Sequence, residues 1–117
     1  MNIGLDLTIH APKRLAAMAV LAHAHDADFR FLRDHLEISD SDLSKQMSAL
    51  ADAGYVSVSK RGRGRGSVTT FRITKTGRAA YRAHRQALEK LMAGPQPETP
   101  TAGQAPRRTS SRADQNR

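Results

Sequence analysis

The chain has 117 residues, of which 38% are hydrophobic and only 4% aromatic, enough for one modest core but not for a large enzyme. Cysteine is absent, which excludes disulfides, iron–sulfur clusters, thiolate metal sites and cysteine nucleophiles. No apolar run reaches the about 18 residues of a membrane span, and the opening MNIGLDLTIHAPKRL lacks the order of a secretion signal. We therefore expect a soluble cytoplasmic protein without a membrane segment.

The formal net charge of +8 is unevenly distributed along the chain. Residues 1–54 carry five Lys and Arg against eight Asp and Glu, a net charge of −3. Residues 55–92 carry ten Lys and Arg against one acid, a net charge of +9. A basic block inside a folded segment is the electrostatic footprint of a polyanion partner. A solvated helical face is the plainer explanation of such a block, so charge favours nucleic acid without establishing it.

Three helices are predicted in the first half of the chain. Pro12 suits the first turn of the first helix, and the polar stretch His23–Asp28 should end it. Apolar residues recur between them at helical spacing, at Leu15, Met18, Ala19 and Ala22. A second, short helix should follow at Phe29–Leu36, with its apolar residues on one stripe.

The third helix has the clearest start and stop signals. Ser39 stands three residues before Asp42, as in a capping box with Asp in place of the usual Glu, and opens the run DSDLSKQMSALADAG. Gly54 is a natural C-terminal stop. On a helical wheel the apolar residues cluster within about 60° and define the buried side. They are Leu43, Met47 and Leu50.

After Gly54 the hydrophobic period changes from 3.6 to 2. Tyr55–Lys60 alternates apolar and polar residues and predicts a half-buried strand, and Val68–Ile73 predicts a second strand paired to it. The run RGRGRG separates them. A final helix is predicted at roughly Thr76–Met92. Its apolar positions are Ala80, Ala83, Ala87, Leu88 and Leu91.

The last part of the chain differs in composition from everything before it. Residues 94–117 read GPQPETPTAGQAPRRTSSRADQNR, rich in Pro, Ser and Thr and poor in apolar residues. Such a segment buries too little surface to offset the entropy of ordering it. We therefore predict a folded domain at residues 1–93 and a disordered basic tail at residues 94–117.

The order helix, helix, helix, hairpin, helix is the plan of a winged helix-turn-helix. The fold class is α+β and mostly α, with three helices, a two-stranded wing hairpin and a C-terminal helix. Within Leu43–Tyr81 the chain resembles small winged-helix transcriptional regulators related to the MarR and ArsR groups. The residues that match are Leu43, Ser44, Leu50, Gly54, Tyr55, Val56, Thr70, Phe71, Arg72, Ile73, Thr74, Gly77 and Arg78. The resemblance extends over about residues 8–92 and implies a homodimer that represses or activates a promoter.

The outer face of the third helix carries the residue types that read base edges. A recognition helix presents short polar side chains and a Lys or Arg in its N-terminal half. The candidate recognition residues are Ser41, Ser44, Lys45 and Ser48. Gln46 lies on the flank and is a weaker candidate, and Asp52 lies at the far end. The alternative is an ordinary amphipathic helix with a solvated outer face.

The predicted wing concentrates positive charge on one loop. The candidate wing contacts are Lys60, Arg61, Arg63 and Arg65. Glycines between them permit a tight turn, and Arg between glycines suits phosphates or a narrow minor groove. A flexible solubilising loop is the alternative. RNA is a rival target, but the aromatic platform of single-strand binders is missing.

Double-stranded DNA is therefore the predicted partner, bound by a homodimer joined through the first and last helices. We expect no enzyme activity, no cofactor and no metal site, although His23, His25, Asp26 and Asp28 form a local cluster of possible ligands. Nothing in the sequence identifies a small-molecule effector. Two alternatives stay open: a protein-interaction adaptor that uses the acidic half, and a non-specific nucleoid-type DNA binder.

Overall fold

A computed structural model describes residues 3–95, so nearly all of the predicted tail lies outside the described residues. The elements are α1 (Pro12–Ala24), β1 (Asp26–Asp28), α2 (Phe29–Leu36), α3 (Asp40–Asp52), β2 (Val56–Arg61), a short 3-10 turn (Gly64–Gly66), β3 (Val68–Ile73) and α4 (Lys75–Ala93). The predicted fold class, a mostly helical winged helix with a C-terminal helix, is confirmed.

Three of the four α-helices begin where a side chain accepts a hydrogen bond from a free first-turn N–H group, whereas α1 begins at Pro12 without a side-chain cap. The capping residues of α2, α3 and α4 are Asp28, Ser39 and Thr74. The Ser39 hydroxyl accepts from the Asp42 N–H at 3.1 Å, as the sequence predicts. Gly54, just after α3, has φ of +82°, a left-handed conformation that costs glycine least.

The core lies between the helices and one face of the sheet. The fully or nearly fully buried hydrophobic residues are Ile9, Ala17, Met18, Leu21, Leu32, Leu43, Met47, Leu50, Val56, Phe71 and Ile73. The predicted buried side of α3 is confirmed. In α1 the most buried residues besides Met18 are Ala17 and Leu21, whereas the predicted Leu15, Ala19 and Ala22 are half-buried. The stripe is broader than predicted because α1 packs on α2, α3, α4, β1 and β3.

The sheet has one strand more than the predicted hairpin. Its strand order is β1-β3-β2 and both pairings are antiparallel. The β2–β3 hairpin is the predicted wing, and β1 pairs with the other edge of β3, where Ala27 lies opposite Phe71. The sequence gives no sign of β1, because Asp-Ala-Asp has no strand propensity of its own and depends on its partner. The added strand ties the wing to the end of α1.

The last helix, α4, buries little against its own chain. Of its 19 residues only Gly77 and His84 are buried. Ala80 and Tyr81 are partly buried against the core, while Met92 is 77% exposed. The segment before α1 lies beside this helix. Within residues 3–95, no helix is long and apolar enough to cross a membrane.

Candidate nucleic-acid interface

The four predicted recognition residues share the outer face of α3. Ser41, Ser44, Lys45 and Ser48 are all exposed, opposite the buried Leu43. The Ser39 cap holds the N-terminal end of this helix in place. This face therefore offers hydroxyls and an ammonium group to a partner, as base-edge recognition requires.

A polar network fixes α3 against α1. The Arg14 guanidinium donates to Gln46 Oε1 at 2.8 Å, and Gln46 Nε2 donates to Asp42 Oδ1 at 2.9 Å. Asp42 also pairs with Lys13. The hydrogen bond from Gln46, reinforced by Lys13, holds the pKa of the Asp42 carboxyl below its usual value. The Gln46 amide thus helps to hold α3 against α1, through hydrogen bonds on both its oxygen and its nitrogen.

A second ion-pair cluster fixes α2 against the start of α3. The Arg33 guanidinium donates to Asp40 and to Asp34, each at 3.0 Å. These two carboxylates raise the pKa of Arg33 above its usual value. The turn between the helices also holds Glu37 at φ of +57°. The helix-turn-helix therefore presents α3 at an angle set by contacts on both sides.

The wing hairpin divides its cations between two faces. Lys60 lies opposite Thr69 and Arg61 lies opposite Val68. Successive side chains of a strand point to opposite faces, so Lys60 is on the face that continues the core and Arg61 on the outer face. Lys60 and Arg61, predicted together as wing contacts, are therefore separated by strand alternation.

The tip of the wing is a glycine-rich turn that carries exposed arginines. Gly62 and Gly64 have φ of +81° and +59°. Arg61, Arg63 and Arg65 are exposed, and none makes an ion pair or side-chain hydrogen bond with another described residue. Their charge is therefore available to an external anion.

Helix α3 and the wing meet at an open cleft of about 400 Å³. Ser44 and Ser48 of α3 line one wall, and Lys60 and Val58 of β2 line the other. Phe71 is also part of the lining. The structure thus brings three of the sequence-predicted residues, two from α3 and one from the wing, to one concave surface.

A neighbouring cleft of about 410 Å³ adds a residue that the sequence analysis missed. It lies between α2 and the wing tip, where Arg30 and Arg65 approach from opposite sides. Arg30 is exposed and has no ion pair among the described residues, whereas Arg33 in the same cleft is held by Asp34 and Asp40. Arg30 becomes a candidate only because α2 lies beside the wing tip in the folded chain. Nothing in the sequence around Arg30 distinguishes it from any other exposed arginine on a helix.

The local cluster of possible metal ligands is dispersed into separate contacts. The His25 ring nitrogen Nδ1 lies 2.9 Å from Arg78, Asp26 pairs with Arg72, and Asp28 caps α2. Across residues 3–95, no group of three or more His, Cys, Asp or Glu side chains is placed to hold a metal ion. These side chains therefore serve the packing of α1, the sheet and α4.

Residues 13–92 match the sequence profile of a family described as a winged helix DNA-binding domain. The chain belongs to this family. The winged helix DNA-binding domain thus takes in α1 through most of α4 and includes every candidate contact above. A search of curated protein sequences finds no match.

Solved structures share this winged helix fold. A transcriptional regulator homologue from Pyrococcus horikoshii has a TM-score of 0.72 at 22% identity, over 80% of this chain and 92% of that chain. YusO from Bacillus subtilis has a TM-score of 0.65 at 15% identity, over 74% of this chain and 61% of YusO. The heme sensor PefR from Streptococcus agalactiae has a TM-score of 0.62 at 20% identity, over 73% of this chain and 58% of PefR. They confirm the winged helix fold that the resemblance implies for this chain.

Proposed function

We propose that the protein is a sequence-specific double-stranded DNA-binding transcriptional regulator of the cytoplasm, acting on the nucleoid. Residues 1–93 form its DNA-binding unit, with α3 in the major groove and the wing on phosphates or a minor groove. The observation that carries the proposal is the cleft where Ser44 and Ser48 of α3 face Lys60 of the wing, beside a tip of unpaired arginines. Arg30 adds a candidate phosphate contact from α2.

Selection of preferred sites from a random duplex pool tests this function most directly. A recurring site should emerge, and a dimer should give two half-sites about one helical turn apart. That site should then outcompete random duplex by about a thousandfold or more. Equal competition by random duplex would instead identify a non-specific nucleoid-type binder, and no binding at low salt would leave the adaptor function.

Within the acidic half, the carboxylates that could form an adaptor surface are Asp26, Asp28, Asp34, Glu37 and Asp40. Four of these five already have partners. Asp34 and Asp40 hold Arg33, Asp26 holds Arg72, and Asp28 caps α2. The exposed ion pairs contribute little stability. In each of them, however, an arginine already occupies the carboxylate that a basic partner would have to bind. The acidic surface is therefore poorer in free charge than its composition indicates, and the DNA-binding function is favoured.

Lys45→Ala is expected to weaken binding to the selected site by about 1–3 kcal/mol and to relax its sequence preference, because a base-reading ammonium is lost. The variant should fold normally, since Lys45 is exposed. Duplex titration with the selected and a random site measures both effects. The control is Lys75→Ala, because Lys75 is also an exposed lysine but lies on α4, away from α3. A loss of thermal stability as large as that of a core substitution would show that Lys45 does not lie on the outer face of α3.

We further propose a homodimer joined through α1 and α4. The apolar positions of α4 stay largely uncovered within one chain: Ala83 and Leu91 are exposed, and Ala87 is only half-buried. Exposed Ile3 of the preceding segment extends the apolar surface of this helix, since it lines a cleft together with Ala83 and Ala87. Small residues such as Ala permit close helix–helix approach, and uncovered apolar surface favours association.

Sedimentation at tens of micromolar should therefore show a dimer. Leu91→Glu should shift it to monomer, because a carboxylate would be buried at the interface without a partner. Arg82→Glu is the control, since residues 82 and 91 lie on opposite sides of α4 at about 100° per residue. A wild-type monomer, with or without duplex, would contradict the homodimer.

A further inference from the structure

His84 of α4 is the one polar side chain counted among the buried residues of the described chain, with an exposed fraction of 1%. It faces residues 3–11, the segment that precedes α1. The Asp6 N–H donates to its Nδ1 at 3.1 Å, and its Nε2 lies 3.2 Å from Nδ1 of His10. The function proposed above does not use this contact, which we call the histidine latch.

The geometry of the histidine latch fixes the protons on both rings. A backbone N–H can only donate, so Nδ1 of His84 must accept and carries no proton. Neutral His84 then has its proton on Nε2 and donates it to His10. Nδ1 of His10 is therefore also unprotonated. Both imidazoles must be neutral for the two hydrogen bonds to exist together.

The same assignment separates the latch from a metal site. A neutral imidazole that binds a metal through Nε2 carries its proton on Nδ1. That proton would point at the Asp6 N–H, another donor. The two histidines thus fit a hydrogen-bonded pair better than a pair of ligands.

The surrounding charges offer little compensation for an added proton. Burial, and then His10, lower the pKa of His84, and Asp6 opposes them only in part. The Asp6 carboxylate is already occupied: it accepts from the Thr8 and Ile9 N–H groups and from the Tyr55 hydroxyl. This contact with Asp6 raises the pKa of Tyr55, which stays neutral.

From α1, the cation Arg14 donates to the Thr8 carbonyl at 2.6 Å. It adds a positive charge to the same segment that holds Asp6 and His10. The charged and titratable groups that meet the latch from the other elements are therefore three. They are the Asp6 carboxylate, whose hydrogen bonds are already made, the Arg14 guanidinium of α1, and the neutral phenol of Tyr55 just before β2.

We propose that the histidine latch is a proton-operated contact that holds residues 3–6 against α4 near neutral pH and releases them on acidification, while Ile9 stays in the core. A proton on Nδ1 of His84 would face the Asp6 N–H, and a proton on Nδ1 of His10 would face the Nε2–H of His84. Either proton replaces a hydrogen bond by two donors pointing at each other.

Release of the segment would alter the surface proposed for dimerisation. Ile3 and Gly4 line a surface cleft together with Ala83 and Ala87 of α4. The latch therefore couples proton binding to the dimer face and, through the dimer, to DNA affinity. This last step rests on the proposed function, whereas the release itself does not.

The direction of the pH dependence follows from the neutral rings. The pKa of folded His84 lies below the unfolded value of about 6.5, so the unfolded chain binds more protons between the two values. The stability contributed by the neutral latch is complete above about pH 6.5 and is lost as pH falls through the folded pKa.

Amide hydrogen exchange and imidazole ¹⁵N spectra of the full chain test the release without DNA. At about pH 7.5 we expect His84 as the Nε2–H tautomer and a protected Asp6 amide. By about pH 5, after correction for intrinsic exchange, protection of the Asp6 amide should fall at least about tenfold while core amides such as Leu50 stay protected. An Nδ1–H tautomer of His84, or unchanged Asp6 protection, would overturn the proposal.

Variants separate the latch from general acid sensitivity. His10→Asn keeps an acceptor that cannot be protonated, at an exposed position, and should shift the midpoint of Asp6 release because only one of the two rings of the latch is left. His84→Asn keeps an acceptor for the Asp6 N–H but has no ring to protonate, so the pH-dependent loss of Asp6 amide protection should disappear. His35→Asn, an exposed histidine stacked on Phe31, should behave as wild type. An equal effect of His35→Asn, or none of His10→Asn, would contradict the latch.

The coupling to function is read separately, by sedimentation and duplex titration at the same pH values. Wild type should lose dimer and duplex affinity over the range in which Asp6 protection falls, and His10→Asn should shift all three together. Release without any change in dimer or duplex affinity would overturn the coupling alone. Absence of duplex binding at every pH would refute the proposed function and leave the release standing.

Discussion

Gly77→Ala is expected to lower the free energy of unfolding by about 3 kcal/mol, at the upper end of the usual cost of overpacking. A Cβ at this position would lie 2.1 Å from the Tyr55 carbonyl oxygen and 2.8 Å from its carbon. These are backbone atoms and cannot rotate away. The gain in helix propensity from Gly to Ala is at most about 1 kcal/mol, so steric overlap decides the sign.

The backbone around Gly77 has little freedom to move. The Thr74 N–H donates to the same Tyr55 carbonyl at 3.0 Å, and the Thr74 hydroxyl donates to the Gly54 carbonyl at 2.6 Å. The Gly77 N–H donates to that hydroxyl. Shifting α4 to accommodate a methyl group would therefore break contacts that join it to the end of α3 and the start of β2.

Urea unfolding of Gly77→Ala beside Gly66→Ala measures the effect. A Cβ at Gly66 would meet nothing within 4 Å, and Gly66 is not at positive φ, so the control should stay within about 0.5 kcal/mol of wild type. A Gly77→Ala variant within about 1 kcal/mol of wild type would mean that α4 packs less closely on Tyr55 than described.

Replacing Arg61, Arg63 and Arg65 together by Gln is expected to cause the largest loss of DNA affinity. If each contacts one phosphate, the slope of log affinity against log salt should decrease by about three units per protomer and about twice that in a dimer. At low salt, affinity should fall by roughly a thousandfold, and for all sequences nearly alike. Stability should change little, because all three side chains are exposed and unpaired within the described chain.

The matched control removes three charges from α4 instead, at Lys75, Arg82 and Arg85, which are also exposed. Duplex titration of both variants from low to physiological salt separates a local contact from the effect of net charge. Equal losses in the two variants would show that the wing acts only through the overall field. Wild-type affinity of the wing variant at low salt would remove the wing from the interface.

The elements that could be predicted from the sequence carry their own local signals. α3 has a cap at Ser39, a stop at Gly54 and a clean apolar stripe, and the wing strands alternate as half-buried strands do. β1 has no such signal, because Asp26–Asp28 becomes a strand only beside β3. Local pattern is sufficient where an element is specified by its own residues.

The missed parts of the candidate site depend on contacts distant in sequence. Arg14 and Gln46 are 32 positions apart, and His10 and His84 are 74 apart. Arg30 becomes a candidate only because α2 lies beside the wing tip. No periodicity in the sequence encodes such pairs, so the helical wheel places Gln46 only on the flank of α3 and gives no sign that His84 is buried.

The strand order leaves β2 with one open edge, since among residues 3–95 it pairs only with β3. An unpaired edge is a template for unwanted sheet extension between molecules. Here it carries Lys60 and Arg61 at its outer end, whereas the opposite edge, β1, is three residues long and carries two aspartates. The cations that we propose for DNA contact therefore also oppose sheet extension at this edge, and replacing them removes charge from the edge as well as from the proposed interface.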